Sequence, residues 1–518
     1  MTSSTPGAAL LVAGTTSDAG KSVVTTGLCR AFARRGLRVA PFKSQNMSNN
    51  SMVVARSGPD GRVDPHGAEM GRAQWVQALA ARAEPETAMN PVLLKPGTDR
   101  RSHVVLHGHP AGHLDAREFA SERSRAGGRA RLAHTAYEAF DALRGRHDLV
   151  VCEGAGSPAE TNLRQWDYVN LGLAQHGQVP TVIVGDIDRG GVFAAMYGTV
   201  GLLDDADRAL VTGFVINKFR GDDSLLAPAI RDLKRRTGIP VLGVLPWSDG
   251  VWLDSEDALD VSSRRSAAAT LRVAVVRLPR ISNFTDVDAL GLEPGLDVVF
   301  ASSPRAVSDA DLVVLPGTRA TVADLAWLRE RGLDTAILSH ARAGLPVLGI
   351  CGGFQMLGAQ IHDPSGVEGV PGSVPGLGLL DATTTFHADK VLGLPHGEAL
   401  GAAVTGYEIH HGRVCVGPAA VPFLGGARDG AVFGTMWHGC LESDEFRRAL
   451  LDEVAAAAGR RFSAAEVSFD DARQARLDCL GDLVEAHLDV GALLELARTG
   501  AGEAGATGMS APPVRVGP

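Results

Sequence analysis

Short continuous runs of Val, Ile, Leu and Ala recur along the chain, each followed by a Gly-containing turn and then a helical pattern. They are AALLVAG (8–14), DLVVCEGAG (148–156), PTVIVGD (180–186), LVTGFVINK (210–218), RVAVVRLP (272–279), DLVVLPGT (311–318) and LPVLGICGG (345–353). Continuous rather than alternating apolar runs predict strands buried on both faces, as in parallel sheets. Helical stretches such as KSVVTTGLCRAFARRG (21–36) lie between them. The pattern therefore predicts an α/β fold. In such sheets ligands gather beyond the carboxyl ends of the strands. At 518 residues the chain exceeds one hydrophobic core. The small, polar, aperiodic stretch VSSRRSAAAT (261–270) marks a boundary, giving domains over 1–262 and 270–498. The Gly/Ala/Pro-rich tail 499–518 is expected to be disordered.

Bulk numbers narrow the partners. A net charge of −9 weighs against nonspecific nucleic-acid binding, which needs basic surface. No apolar run approaches the roughly 20 residues of a membrane span. The start MTSSTPGAALLVAG lacks a signal-peptide pattern. The six cysteines are scattered without a C-x-x-C pair, so zinc-ribbon and disulfide frameworks are disfavoured. Reduced thiols and a cytoplasmic location are expected.

GTTSDAGKS (14–22) follows a strand and opens a helix. Backbone N–H groups there can cradle phosphates. Lys21 would reach the terminal phosphates of ATP, and the Ser22 hydroxyl would meet Mg²⁺. The usual pattern is G-x-x-x-x-G-K-[ST]. Here Thr15 takes the place of its first Gly, and Gly14 stands one residue earlier than the pattern asks. Gly20 precedes the lysine. Mg²⁺ also wants carboxylates. Glu153 and Asp186 each end a strand at the nucleotide edge, with Asp188 close behind. Asn217 ends another strand and can read a purine edge. FKSQNMSNNS (42–51) is dense in amides and hydroxyls, and its Lys43 would add a second cation beside the phosphates.

LGICGGF (348–354) has the G-x-nucleophile-x-G shape of a tight strand-to-helix turn. Cys351 sits at its tip. The N–H of Gly352 would donate to an oxyanion, and a second donor would come from the loop Pro316–Gly317–Thr318. A helix N-terminus favours the thiolate. The plainer alternative is a small buried cysteine. A nucleophilic thiol needs a base, and His410, His411 and His438 follow downstream.

These segments resemble the cobyric acid synthase family, glutamine-hydrolysing amidases of cobalamin biosynthesis. The likeness covers nearly the whole chain apart from the tail. It is carried by GTTSDAGKS, PFKSQNMSNN, GRAQWVQALAARAEPETAMNPVLLKP (71–96), VCEGAGSPAE, GDIDRGGVFA, VINKFRGD, LGICGGFQMLG, YEIHHGR and GTMWHG. The resemblance implies a first domain like the dethiobiotin-synthetase type of P-loop fold. That type also uses the spacing G-x₅-G-K-[ST]. It implies a second domain like the triad-type (class I) glutamine amidotransferases. It assigns the base to His438, with His410 and His411 shaping the pocket. Many such domains continue His-x-Glu, but Cys440 stands two residues beyond His438. The expectation is a Cys–His pair whose third member is open, with Glu442 and Glu408 as candidates. After the second strand Lys43-Ser44-Gln45-Asn46 offers no carboxylate, so a second metal ligand is open as well.

The reaction implied is ATP- and glutamine-dependent amidation of corrinoid carboxylates, at positions b, d, e and g of adenosylcobyrinic acid a,c-diamide. The partners implied are small molecules (corrinoid, glutamine, ATP), with no nucleic acid and no membrane, and homo-oligomerisation is left open. Three alternatives stand beside it. One is cobyrinic acid a,c-diamide synthase. Another is a partitioning-type P-loop ATPase, whose extra lysine early in the loop is missing here, since positions 15 and 16 are both Thr. The third is a regulatory glutaminase with a silent ATPase half.

Overall fold

The structure, a computed structural model, describes residues 6–57, 63–98, 101–115, 128–248 and 270–500. They fall into two compact units. The expected boundary stretch and tail lie almost wholly outside the described residues.

The first unit carries a fully parallel sheet in which all four apolar runs of the first half become strands. They are β1 (Ala8–Gly14), β2 (Val39–Phe42), β3 (Leu149–Glu153), β4 (Thr181–Asp186), β5 (Val211–Phe219) and β6 (Val241–Pro246), in spatial order β6-β5-β4-β1-β3-β2. β1 is buried along almost its whole length, which explains why it reads as a continuous apolar run. Helix α1 (Lys21–Arg34) buries Val24, Leu28 and Phe32 against the sheet, and α2 (Arg72–Ala80) packs beside it. Each fully buried apolar side chain of this size contributes roughly 1.5–3 kcal/mol. The carboxyl ends of β1 and β3 run in register, Val12 beside Glu153. That brings the strand-end Glu153 next to the turn that follows β1.

The second unit has its own sheet. β7 (Leu271–Val276), β8 (Leu296–Ala301), β9 (Leu312–Leu315) and β10 (Val347–Ile350) run parallel, followed by a smaller sheet of β11 (Gln360–Asp363), β12 (Gly372–Pro375), β13 (Ala382–Gly393) and β14 (Glu408–Val416). β15 (Val421–Phe423), β16 (Gly426–Asp429) and β17 (Val432–Thr435) complete the main sheet, in order β8-β7-β9-β10-β17-β16-β15. β17 joins β10 in parallel, placing Thr435 beside Ile350. Helix α3 (Thr321–Glu330) follows β9, and the short α4 (Gly352–Leu357) follows β10.

Sequence order and unit membership part company twice. Residues 473–500 were expected in the second domain, yet they belong to the first unit. There α5 (Phe469–His487), α6 (Val490–Thr499) and the link between them bury Leu477, Val484, Leu488, Leu493 and Leu496 among the side chains of β1 and α1. Arg30 and Arg34 of α1 add hydrogen bonds to Gln474 (2.6 Å) and Asp478 (2.8 Å). Residues 49–69, expected in the first domain, belong to the second unit. The Ser51 N–H donates to Asn283 Oδ1 at 3.0 Å, and Lys390 pairs with fully buried Glu69 at 2.5 Å. An apolar helix face or a strand edge is satisfied by any matching surface, and sequence adjacency does not name that surface.

Candidate functional site

In the first unit the turn after β1 is built for close approach. Gly20 adopts φ 100° ahead of α1, and a Cβ there would stand 1.9 Å from the Asn217 amide nitrogen. That amide donates to the Ala19 carbonyl at 3.0 Å, tying β5 to the turn. The Thr15 N–H is spent on Val184 O (2.9 Å), as in a strand extension beyond Gly14. Lys21 folds back over the turn, donating to the carbonyls of Thr16 (3.0 Å) and Gly156 (3.3 Å). The turn is thus held curled around the lysine, the shape an anion needs.

Glu153 is the hub beside it and is 1% exposed. Its Oε1 accepts from the Ser22 hydroxyl (2.9 Å) and from Lys43 Nζ (3.1 Å), and its Oε2 accepts from Gln77. A hydroxyl and a carboxylate in contact at a phosphate turn suit Mg²⁺, which takes one or two protein oxygens beside phosphate and water. Asp186, the other expected carboxylate, is engaged by a lysine. Its Oδ2 receives Lys218 Nζ at 2.8 Å, and the same ammonium donates to the Asp18 carbonyl of the turn. Its Oδ1 accepts the Asp188 N–H. Asp186 therefore braces the turn through Lys218. The amide-rich segment after β2 forms a buried network in which Asn46 donates to Gln74 (3.0 Å) and Asn90 accepts from Gly71 N–H (3.0 Å).

In the second unit Cys351 stands at the tip of the turn after β10, at φ 51° and ψ −108°. This backbone region is strained for any residue with a Cβ. The Cys351 N–H donates to Thr435 O at 2.7 Å, and its carbonyl accepts the Gln355 N–H at 3.0 Å. Glycines flank it because there is no room: a Cβ on Gly353 would sit 1.9 Å from Leu315 O. On Gly352 it would sit 3.0 Å from the Thr318 nitrogen. The loop of Gly317 and Thr318 therefore does lie against the turn. Its shape is set by the Thr318 hydroxyl, which reaches Asp324 and accepts the Ala320 N–H (3.1 Å).

His438 follows β17 and is 1% exposed. A Cβ on Gly317 would lie 2.7 Å from its Cε1. Its Nδ1 bonds Asp286 Oδ2 at 2.6 Å, while Asp286 Oδ1 accepts the Gly439 N–H at 2.9 Å. Its ring also feels the Cys351 sulfur electrostatically. Tyr407 stacks on the imidazole with ring centres 5.3 Å apart. Burial alone would lower the His438 pKa, but the Asp286 carboxylate and the Cys351 sulfur outweigh it, raising it to about 10. Asp286 thus supplies a third member that neither Glu408 nor Glu442 provides. Its signal lay in FTDVDALGL (284–292), an aspartate-bearing turn after β7, far from both motifs. Burial pushes the Cys29, Cys152 and Cys440 thiols up, whereas Cys351 alone of the buried cysteines meets an imidazole. His410 and His411 are pushed down to about 4 by burial and stay neutral at pH 7.

A thiol, imidazole and carboxylate in series can perform nucleophilic attack on a carbonyl carbon. No helix among the described residues is long and apolar enough to cross a membrane.

Comparison with known proteins agrees in both halves. Residues 10–261 match the CobQ/CobB/MinD/ParA nucleotide binding domain, and residues 272–446 match the CobB/CobQ-like glutamine amidotransferase domain. A solved glutamine amidotransferase covers 36% of the chain and 98% of its own, at 19% identity and a TM-score of 0.28, too low to carry an argument. Cobyric acid synthases of Mycobacterium ulcerans and Mycolicibacterium gilvum are each 66% identical over 492 residues, covering 95% of this chain and 97% of theirs. That of Mycobacterium tuberculosis is 66% identical over 497 residues. The chain belongs to the cobyric acid synthase family of glutamine-dependent amidating ligases.

Proposed function

We propose that the chain amidates the b, d, e and g carboxylates of adenosylcobyrinic acid a,c-diamide, using ATP and ammonia released from glutamine. The observation that carries the mechanism is the Cys351–His438–Asp286 series beside an N–H-bearing turn. Cys351 thiolate attacks the side-chain amide carbon of glutamine. The N–H groups of Gly352 and Gly317 take the negative oxygen, a donor of this kind lowering the barrier by about 3 kcal/mol. The C–N bond breaks as His438 gives its proton to the leaving nitrogen, and ammonia departs. His438 then takes a proton from water, which attacks the thioester and releases glutamate. Asp286 holds Nδ1, fixing the tautomer and favouring the imidazolium.

In the first unit Gly14, Thr15, Gly20, Lys21 and Ser22 would enclose the triphosphate, with Lys43 beside it and Asn217 at the base. Ser22 and Glu153 would hold Mg²⁺, which neutralises phosphate charge when bound. Lys21 and Lys43 steady the γ-phosphoryl group as it passes to a substrate carboxylate oxygen, leaving ADP. Ammonia attacks the acyl phosphate, and phosphate leaves. Six free thiols suit a cytoplasmic setting.

The test supplies the a,c-diamide, Mg-ATP and glutamine, and follows glutamate, ADP and corrinoid mass. Four successive mass losses of one unit (OH replaced by NH₂), each with one ADP and one glutamate, are expected. A corrinoid of unchanged mass overturns the assignment. The partitioning-ATPase alternative leaves the Cys351 series without a purpose.

A further inference from the structure

One oxygen of Glu153 has two duties that conflict. Its Oε1 accepts from the Ser22 hydroxyl at 2.9 Å, the oxygen pair that suits a metal ion. The same Oε1 accepts from Lys43 Nζ at 3.1 Å. Both charges of this ion pair are out of water, the lysine side chain 6% exposed and the carboxylate 1%. Lys21, the lysine of the turn, directs its ammonium to the neutral carbonyls of Thr16 and Gly156. Lys43 instead neutralises the carboxylate itself.

The surroundings fix everything except the lysine stem. Gln77 is buried and donates to Glu153 Oε2, so the carboxylate is held from its other oxygen. The Lys43 N–H donates to Met89 O at 2.9 Å, and the Lys43 carbonyl accepts the Asn90 amide at 3.3 Å. What remains to move is the flexible four-carbon side chain of Lys43. Mg²⁺ lies closer to its oxygens than an ammonium does. A divalent ion and an ammonium on one buried oxygen would repel strongly. Oε1 can serve one of them at a time.

We propose that Lys43 is a built-in counter-ion that occupies the metal's side of Glu153 until Mg-ATP arrives, and is then exchanged for Mg²⁺. The metal takes Oε1, and the ammonium swings to the γ-phosphate that comes with it. The buried carboxylate is never left uncompensated, which would be costly. Metal alone gains little, because it displaces a cation and gives the ammonium no new anion. Metal with triphosphate supplies both. The proposal rests on the reading that Ser22 and Glu153 hold the metal. If that reading fails, Glu153→Gln binds Mn²⁺ as wild type does, a result distinct from those below.

The test measures binding by the full-length protein, not turnover. Mn²⁺, which shares the preference of Mg²⁺ for oxygen ligands, is titrated without nucleotide and followed by its electron paramagnetic resonance signal. Lys43→Gln should bind it tighter than wild type by about 10-fold or more, since the competing cation is gone. Lys43→Arg, which keeps a cation there, should bind it no tighter than wild type. The β,γ-imido analogue of ATP, titrated with Mg²⁺, should bind Lys43→Gln about 10-fold more weakly, from loss of a charged hydrogen bond to phosphate. A lysine with a merely structural role would weaken both ligands together, and that outcome overturns the proposal. So does a Mn²⁺ affinity that Lys43→Gln leaves unchanged. A second measurement uses wild type alone. Saturating Mn²⁺ without nucleotide should raise acetic-anhydride labelling of Lys43, read by peptide mass, and adding the ATP analogue should lower it again. Labelling that Mn²⁺ does not change overturns the exchange without any variant having to fold.

Discussion

The turn before α1 and the turn before α4 share one step and differ in length, six residues in the first and the single Cys351 in the second. Each closes a buried parallel strand, turns through positive φ and opens a helix. In the first, glycine occupies the strained position, Gly20 at φ 100°. In the second, Cys351 occupies it at φ 51°. Glycine offers only backbone, so the first turn can wrap an anion with N–H groups. Cysteine bears a side chain, so the second turn lifts a nucleophile out of the sheet while a neighbouring N–H faces the same space. The difference teaches that a long glycine-bearing loop suits an anion, whereas a one-residue turn with a side chain at its tip suits a nucleophile.

The largest effect should come from removing each turn's reactive group. Cys351→Ala should cut glutamine-driven amidation by about 10⁴-fold or more, while free ammonia still supports product. Failure of ammonia to rescue it would break the division of labour. Lys21→Ala should lose on the order of 10³-fold with either nitrogen source, read as ADP release, since a charged group at the transferring phosphate carries several kcal/mol.

Next comes Asp286→Asn. It keeps the shape but loses the charge on Nδ1, so glutamine hydrolysis should fall about 10²- to 10⁴-fold. Ammonia-driven amidation is the control. An unchanged rate would reduce the site to a Cys–His pair.

The tip residues themselves should show opposite stability effects in urea unfolding. Gly20→Ala should cost about 1–3 kcal/mol from backbone strain, more if the Asn217 amide cannot move from its 1.9 Å encounter. Cys351→Gly should be more stable than Cys351→Ala by a similar amount, because glycine relieves the strain the chemistry imposes. Equal stabilities would break the parallel between the turns.

The smallest effect is with pH. The His438 pKa rises from 6.5 in the unfolded chain to about 10 in the fold. Its contribution is therefore full below about pH 6.5 and is lost as pH climbs through 10. Thermal midpoints of wild type and His438→Asn should converge over that window by on the order of a few degrees.

Both motifs were legible because each is local. Gly20, Lys21 and Ser22, like Gly349, Cys351 and Gly353, lie within a few residues of one another, and their spacing alone implies a strand, a tight turn and a helix. Glu153 was legible because it ends an apolar run. Asp286 was not, since nothing near His438 in sequence marks it. It reaches the imidazole only because β7 neighbours β9 in the sheet and the turn after β7 crosses toward β17. Asp186 looked like Glu153 in sequence, a carboxylate at a strand end. Lys218, on the neighbouring strand, engages it instead.

The sequence by itself determined the α/β class, the family, the two turns and the residues at their tips. Those features depend on burial periodicity and backbone sterics over a few residues. Only the tertiary structure decided which carboxylate meets His438, what occupies Asp186, and that residues 49–69 and 473–500 pack outside their expected domains. Such pairings join surfaces distant along the chain, and many surfaces of similar polarity satisfy the same local pattern, so the packed fold alone selects among them.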